Sequence, residues 1–582
     1  MKKIISIILA SVAMTSCVDT VILPDNKTVD EDFWQKKSEV ESVVATAYSQ
    51  LRDATAIRNM VIWGDFRSDE LVVTPTLPMN AAFKTALSQI YSLNVDTENE
   101  FTRWYPFYSA INYCNLILEK AEDVVKVDPD YMPGDCDANK AQVLALRAFC
   151  YFYLTRVFHD IPVTPHAYMR SGDDFNAPQK SPAEVLDMCI ADLEEAEHMA
   201  VSGSTYGDWR DKGLLNKDGI NSILADIYLW RASVNRDSLE YKKVVEYCDK
   251  VIKAKKLAYE QNPRGRRMGA STEEKDYYLS DVDNMYDDLF GDGNQNADES
   301  IFELQFAPNQ AANAGLDQAY NRFSNNNRDG FGYFKVFKTY GKVVSNGTGL
   351  WSNGDDRRLY DYIYDANSST AEQFSVRKFV ASSGSNGSAT AFVGRASFYQ
   401  NWIFYRLTDV MLMKAEALAQ LYLFEKERAT AENREADDTY NQEAFAICRF
   451  VNDRALPEDK IGEGSGKMSI RYSNFADRME KLVLDERARE LCFEGKRWFD
   501  LMRYNYRHTA KKADLSAKLT ESYVENSTEF FDQALRKYPV PDAMAAKMRD
   551  ERYLYMPIHQ DEVELNTSLV QNPVYKSTSK HK

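Results

Sequence analysis

The sequence predicts a mainly α-helical protein: about four tetratricopeptide-like helical hairpins in a stack, with a long loop-rich ligand-binding region and minor β-strand content. Three observations carry this prediction. Apolar residues recur at spacings of three and four along much of the chain, the period that lines one face of a helix. The helical segments come in consecutive pairs rich in Ala and aromatic residues, as expected of hairpins that stack to share a core, although no strict repeat consensus recurs. The stretches between the pairs are irregular and rich in Gly, Asn, Asp and Ser.

From the N-terminus, the first element is a leader. Lys2 and Lys3 precede an apolar run from Ile4 to Ala13, and Met14-Thr15-Ser16 leads into Cys17. A basic head, a short apolar run and small residues before a cysteine resemble a bacterial lipoprotein signal, with Met14 where Leu is usual. The run is about half of the roughly 20 residues that a membrane-spanning helix needs. Residues 1–16 are therefore expected to be removed and Cys17 to carry lipid. Residues 17–32 read as a lipidated tether, and 33–582 as a single α-helical domain with loop-rich insertions at about 64–100 and 260–400.

Within that domain, Glu39 to Leu51 places Val40, Val43, Ala47 and Leu51 on one face. Tyr105 to Ala121 does the same with Phe107, Ile111, Cys114 and Leu118. Leu144, Ala148, Tyr151, Leu154 and Phe158 trace another stripe, ended by Pro162. Ile220 to Arg231 pairs with Tyr241 to Ile252, and Val410 to Leu421 with Glu443 to Arg454. Ser300 to Phe306 reads as one short strand after turn residues. Among the irregular stretches, 64–100 contains Pro75 and Pro78, 260–300 is charged, and 308–400 is rich in Gly, Asn, Ser and aromatics. Long loops on a helical scaffold are where binding usually resides.

Composition narrows the function. Lys and Arg number 71 against 88 Asp and Glu, a net charge of −17, which lacks the basic footprint of a nucleic-acid binder. No second long apolar run appears, so lipid is the expected membrane attachment. Apart from Cys17 there are seven cysteines, which cannot all pair. Five of them (Cys114, Cys150, Cys189, Cys248 and Cys492) sit in helical apolar patterns and read as small buried hydrophobes.

Four segments carry a family resemblance: Ala145 to Val163 (ALRAFCYFYLTRVFHDIPV), Tyr405 to Leu418 (YRLTDVMLMKAEAL), Leu484 to Arg503 (LDERARELCFEGKRWFDLMR), and Tyr555-Met-Pro-Ile558 with Gln571-Asn-Pro-Val-Tyr575. Together, and in this order, they resemble the SusD/RagB family of outer-membrane nutrient-binding lipoproteins. The resemblance implies a lipid-anchored protein on the outer face of a Bacteroidetes-type outer membrane, capping a SusC-like TonB-dependent transporter. It implies a ligand that is bound and not turned over, an oligosaccharide first and a peptide second, the latter as in the RagB branch.

In the third segment, Leu484, Ala488, Leu491, Gly495, Trp498 and Met502 follow a helical stripe, with Gly495 read as a point of close helix approach. Asp485–Arg489, Glu494–Arg497 and Asp500–Arg503 stand within helical reach of one another. Glu486, Glu490 and Glu494 are read as structural ion pairs and not as an acid/base set. A surface glycoside hydrolase, the alternative from another class, needs two carboxylates on a scaffold that the helical pattern does not supply.

Metal and phosphate signatures are weak. Gly462 to Lys467 resembles a phosphate loop, but Met468 stands where Ser or Thr is required. Asp292, Asn294, Asn296 and Glu303 fall at positions one, three, five and twelve of a calcium loop. Ala297 replaces its turn Gly and Glu303 lies in the expected strand, so a solvated loop is the stronger reading and no cofactor is expected. Sugar recognition draws on aromatics, whose flat faces meet the C–H face of a pyranose. Trp34, Trp230, Trp402 and Trp498 sit in helical stripes and Trp104 opens a helix, so these read as core. Exclusion leaves Trp63, Trp209 and Trp351, with Tyr333, as ligand contacts, supported by Asp65, Arg67 and Asp69.

Overall fold

The structure is a computed structural model. It describes residues 33–74, 80–169, 173–261, 266–268, 277–291, 295–307, 311–320, 332–343, 349–351, 354–364, 366–369, 371–380, 398–457, 476–534, 536–537 and 541–575. Cys17, the leader and the tether lie outside the described residues, as do Asp292, Asn294 and the Gly462–Lys467 stretch.

The helices that build the scaffold are α1 (Lys37–Gln50), α2 (Ala54–Val61), α3 (Tyr105–Val127), α4 (Pro133–Phe158), α5 (Pro182–Met199), α6 (Lys217–Asn235), α7 (Ser238–Gln261), α8 (Leu407–Ala431), α9 (Thr439–Arg454), α10 (Ala476–Glu490) and α11 (Arg497–His508). Helices α1, α3, α4, α5, α6, α7, α8 and α9 pack each against the next, giving the stack of hairpins expected from the paired stripes. Val40, Ala47, Phe107, Ile111, Leu144, Ala148, Tyr151 and Leu154 all face the core. Local chemistry sets the ends. Helix α5 starts with a capping box, Ser181 and Glu184 each accepting the other's backbone N–H, followed by Pro182 at the first position. Helix α6 starts at Asn216, whose Oδ1 accepts N–H from Asp218 and Gly219. Helix α4 stops where His159 enters the left-handed region (φ 68°).

Strand content is small among the described residues. The expected strand forms over Ser300–Leu304, two residues shorter than read, and pairs antiparallel with Trp402–Arg406. Trp402 is thus a core residue of a strand and not of a helix. A four-stranded sheet orders Leu71–Val73, Phe334–Phe337, Gln373–Val376 and Ile363–Tyr364 side by side.

The Leu484–Arg503 segment is not one helix. It breaks between α10 and α11, where Phe493 (φ 67°) and Gly495 (φ 75°) take left-handed conformations. Gly495 does mark a close approach, but of a turn: its carbonyl lies where a Cβ on Gly64 would stand. Gly64 belongs to a π-helical turn, Ile62–Phe66, that extends α2. From that turn Asp65 caps the break, accepting N–H from Gly495 (2.8 Å) and Lys496 (3.2 Å).

The break frees the acidic side chains for partners far away in sequence. Asp500–Arg503 pairs as read (2.7 Å), but Glu494 binds Arg406 (2.8 Å) and Lys378 (2.5 Å), Arg497 binds Asp69 (2.9 Å), and Arg489 binds Glu486 (2.8 Å). Glu490 gathers Arg358 (2.8 Å), Arg406 (2.6 Å) and Arg454, while Arg358 also holds Glu486 (2.7 Å). Burial pushes the Glu490 carboxyl up, but Arg454, Arg406 and Arg358 override it and hold it well below the ordinary range. The three glutamates are structural, as read, yet they lie in the interior and not on a helix face.

Candidate functional site

A cleft of about 340 Å³ opens beside the start of α3. One wall is the first turns of α3 with the residue before it: Trp104, Tyr105, Tyr108 and Asn112. The second is the 162–177 segment, with Thr164, Tyr168 and Phe175, and the third is a C-terminal turn carrying Asp561, Glu562, Asn566 and Leu569.

The second wall's described residues 163–169 and 173–177 form neither helix nor strand, yet α3 and α4 pin it. Asn112 grips the Tyr168 backbone twice, donating to its carbonyl (3.0 Å) and accepting its N–H (2.7 Å). Asn115 donates to the carbonyls of Thr164 (2.7 Å) and His166 (3.1 Å), and Tyr108 donates its hydroxyl to Pro162 O (2.8 Å). Behind them Arg147 donates to Asn115 Oδ1 (2.9 Å) and is held by Asp192 (2.8 Å). Asn566 ties the third wall to the second by donating to Ala177 O (2.7 Å). Held from behind, such side chains lose little freedom when a ligand arrives.

The lining combines flat aromatic faces with fixed polar groups. The Tyr168 and Phe175 rings lie 4.9 Å apart, and Trp104 meets Tyr108 at 5.2 Å. At the rim Arg103 bridges Glu100 (3.1 Å) and Asp561 (3.0 Å). Deeper in, burial raises the Glu562 carboxyl above its ordinary range against a hydrogen bond from the Trp104 indole. Burial likewise raises the Tyr108 phenol well above its ordinary value. The site presents stacking surfaces, hydroxyls, amides and carboxylates to one small volume, the arrangement of a ligand pocket.

The residues singled out from sequence are placed differently. Trp63 is wholly buried, donating its indole N–H to Phe101 O (2.8 Å) among Phe107 and Phe158. Asp65 caps the break described above. Arg67 donates to Leu554 O (2.6 Å) and lies 4.5 Å over the Trp498 ring, and Asp69 binds Arg497 and accepts from Tyr340 (3.2 Å). Trp351 is wholly buried, its indole donating to Tyr340 O. Tyr333 is buried against Phe83 and Phe334. These six are corrected to core positions, because the end of α2 and the four-stranded sheet pack inward on the α10–α11 break. Only Trp209 stands exposed, outside this cleft.

The calcium reading fares no better at its two described positions. Glu303 accepts from Asn401 Nδ2 (2.7 Å) and from Asn296 N–H (3.1 Å), and burial raises its carboxyl. Asn296 Oδ1 accepts from Gln305 (2.7 Å). Both side chains therefore serve the strand pair. Among the described residues no group of three His, Cys, Asp or Glu is placed to hold a metal.

The cleft residues carried a signal in the sequence. Tyr105, Tyr108 and Asn112 follow one another at spacings of three and four, off the Phe107–Ile111–Cys114 core stripe of the same helix. A second, partly aromatic stripe on an already amphipathic helix has no core left to join. No comparable signal marks Tyr168 and Phe175.

Comparison with known proteins fits this geometry. One family model, described as the SusD family, matches residues 298–575. A second, described as starch-binding and associating with the outer membrane, matches residues 23–229. A SusD-like protein of Formosa agariphila is 25% identical over 517 residues, covering 86% of this chain and 90% of its own. Crystal structures of SusD superfamily proteins from Bacteroides thetaiotaomicron (21% identity, TM-score 0.62, 93% of this chain and 99% of that one) and Bacteroides fragilis (18%, 0.64, 94% and 100%) share the fold. The two models follow each other along the chain and the relative spans nearly all of it; together these likenesses support a SusD-like protein.

Proposed function

We propose that this protein is a surface lipoprotein, anchored through Cys17, that captures an oligosaccharide in the α3 cleft without cleaving it. It then passes the sugar to a TonB-dependent transporter of the SusC type in the outer membrane. The observation that carries the reading is the cleft itself: half-buried Tyr105, Tyr108, Tyr168 and Phe175 beside amides and carboxylates already fixed by the scaffold. Aromatic faces accept the C–H face of a pyranose, and the polar groups reach its hydroxyls. The nearby carboxylates are occupied, Asp561 by Arg103 and Glu562 by Trp104, which suits binding better than proton transfer. The family description of starch binding at the outer membrane supports the same reading.

A panel of oligosaccharides and peptides tests it. The expected result is saturable sugar binding with no new reducing ends. Tyr168→Ala should weaken that binding by about 1–3 kcal/mol, the scale for bases stacked on aromatic side chains, with little change in melting temperature. Product release would instead indicate an enzyme, and peptide-only binding a peptide-capture protein.

A further inference from the structure

Of the eight tryptophans seven are buried, and Trp209 alone is half exposed (50%). It lines a second cleft, about 920 Å³ in volume, formed by the 202–218 segment, α6, α7 and residues 295–298. None of the residues lining it lines the α3 cleft.

The indole is a seated platform. It rests on Gly213, where a Cβ would come within 2.8 Å of its Cε3 and 2.6 Å of Gln305 Cγ, so only glycine admits the ring in this position. The loop that carries it is tied down. Asp211 accepts N–H from Tyr206 (2.8 Å) and Gly207 (2.7 Å), Asn216 donates to Asp211 O (2.8 Å), and Trp209 O accepts from Gly213 N–H (2.7 Å). Within the cleft Asn221 is only 5% exposed and spends its amide N–H on Lys217 O (2.8 Å), leaving its Oδ1 without a hydrogen-bond partner. A buried acceptor left unmatched is costly unless something donates to it. Leu257, 54% exposed, adds apolar surface to the same cleft.

We propose that this cleft is a second carbohydrate site: a pyranose ring stacks on Trp209, and a sugar hydroxyl donates to Asn221 Oδ1. A flat, immobilised aromatic face beside an acceptor that lacks a donor suits a sugar, which offers both an apolar face and hydroxyl donors. Two sites on one chain would let a polysaccharide engage at two points, so polymer binding would exceed that of either site alone.

The experiment uses a printed array of starch-type, plant and host oligosaccharides, with maltoheptaose among them, and a peptide array beside it. The mature protein is compared with Trp209→Ala, Gly213→Ala and the α3-cleft variant Tyr168→Ala, each checked for an unchanged melting temperature. Trp209→Ala should lower signals at least tenfold on glycans that Tyr168→Ala still binds. Gly213→Ala, which displaces the indole without removing it, should lower the same signals. In the wild type those glycans should shield the exposed tryptophan fluorescence from acrylamide.

Three results would overturn the second site: Trp209→Ala matching wild type on every glycan, Tyr168→Ala losing all glycan signal, or Trp209-dependent binding of peptides only. If Trp209→Ala abolishes every signal and Tyr168→Ala changes none, the α3 cleft fails and this one stands.

Discussion

Asp65 is a charge that the fold resists. It is fully buried, and burial pushes its carboxyl up to about 7 even though Gly495 donates a backbone N–H to it. Glu70 beside it is raised well above its ordinary value by burial and then by Asp65. A folded-state pKa above the unfolded one means that the proton is held more tightly in the native protein. The associated stability is fully present below pH ~4 and is lost as pH rises through about 7. Asp65→Asn cannot ionise, so urea titrations should show it gaining on wild type between pH 5 and 8; a constant difference across that range would contradict the assignment. Trp63, two residues earlier, is predicted to act through stability alone. Trp63→Ala should cost about 3–5 kcal/mol in chemical denaturation, with no selective loss of ligand. The sequence could not separate Trp63 from Trp209, since both stand outside a clear apolar stripe and within two residues of a charged one. What separates them is a π-helical turn and a long-range contact in one case and a glycine seat in the other, neither of which has a local signature.

The helices were legible because each buries a stripe and each stripe has a period: the apolar faces of α1, α3, α4, α6, α7, α8 and α9 stand where the spacing places them. The break between α10 and α11 was hidden by the same rule, since Leu484, Ala488, Leu491, Trp498 and Met502 remain buried although the backbone between Glu490 and Arg497 is not helical. What interrupts the helix is polar and distant: Asp65 offers a cap, and Arg406 and Lys378 draw Glu494 inward. Gly495→Ala is expected to destabilise by about 1–2 kcal/mol from its left-handed φ alone. If Gly495 were an ordinary helical glycine, the same change would stabilise the protein by up to about 1 kcal/mol, so the sign of the shift in denaturation midpoint decides between the two. The 162–177 wall was illegible for a related reason, as its shape comes from Asn112 and Asn115 on a helix some fifty residues earlier.

For the whole molecule, the described residues contain no helix long and apolar enough to cross a membrane. In our proposal attachment rests on lipid at Cys17. Triacylated anchoring exceeds the two-signal threshold for stable membrane association, so Cys17→Ala should move the protein from the membrane fraction to the soluble one. Retention in the membrane fraction would require another anchor.

The buried charges at the α10–α11 break have a consequence for how this chain can be divided. The two family models stop and start on either side of the middle, at residues 229 and 298, and the interval between them looks like a place to cut. Yet α7 lies against α8 across that interval, and Asp65 and Asp69 from the first part complete the α10–α11 break and neutralise Arg497 in the second. Severed there, the C-terminal piece would keep Arg497 without its carboxylate, and the N-terminal piece would keep Asp65 without its backbone donors. The halves are complementary fragments, each holding the partners that the other's buried groups need.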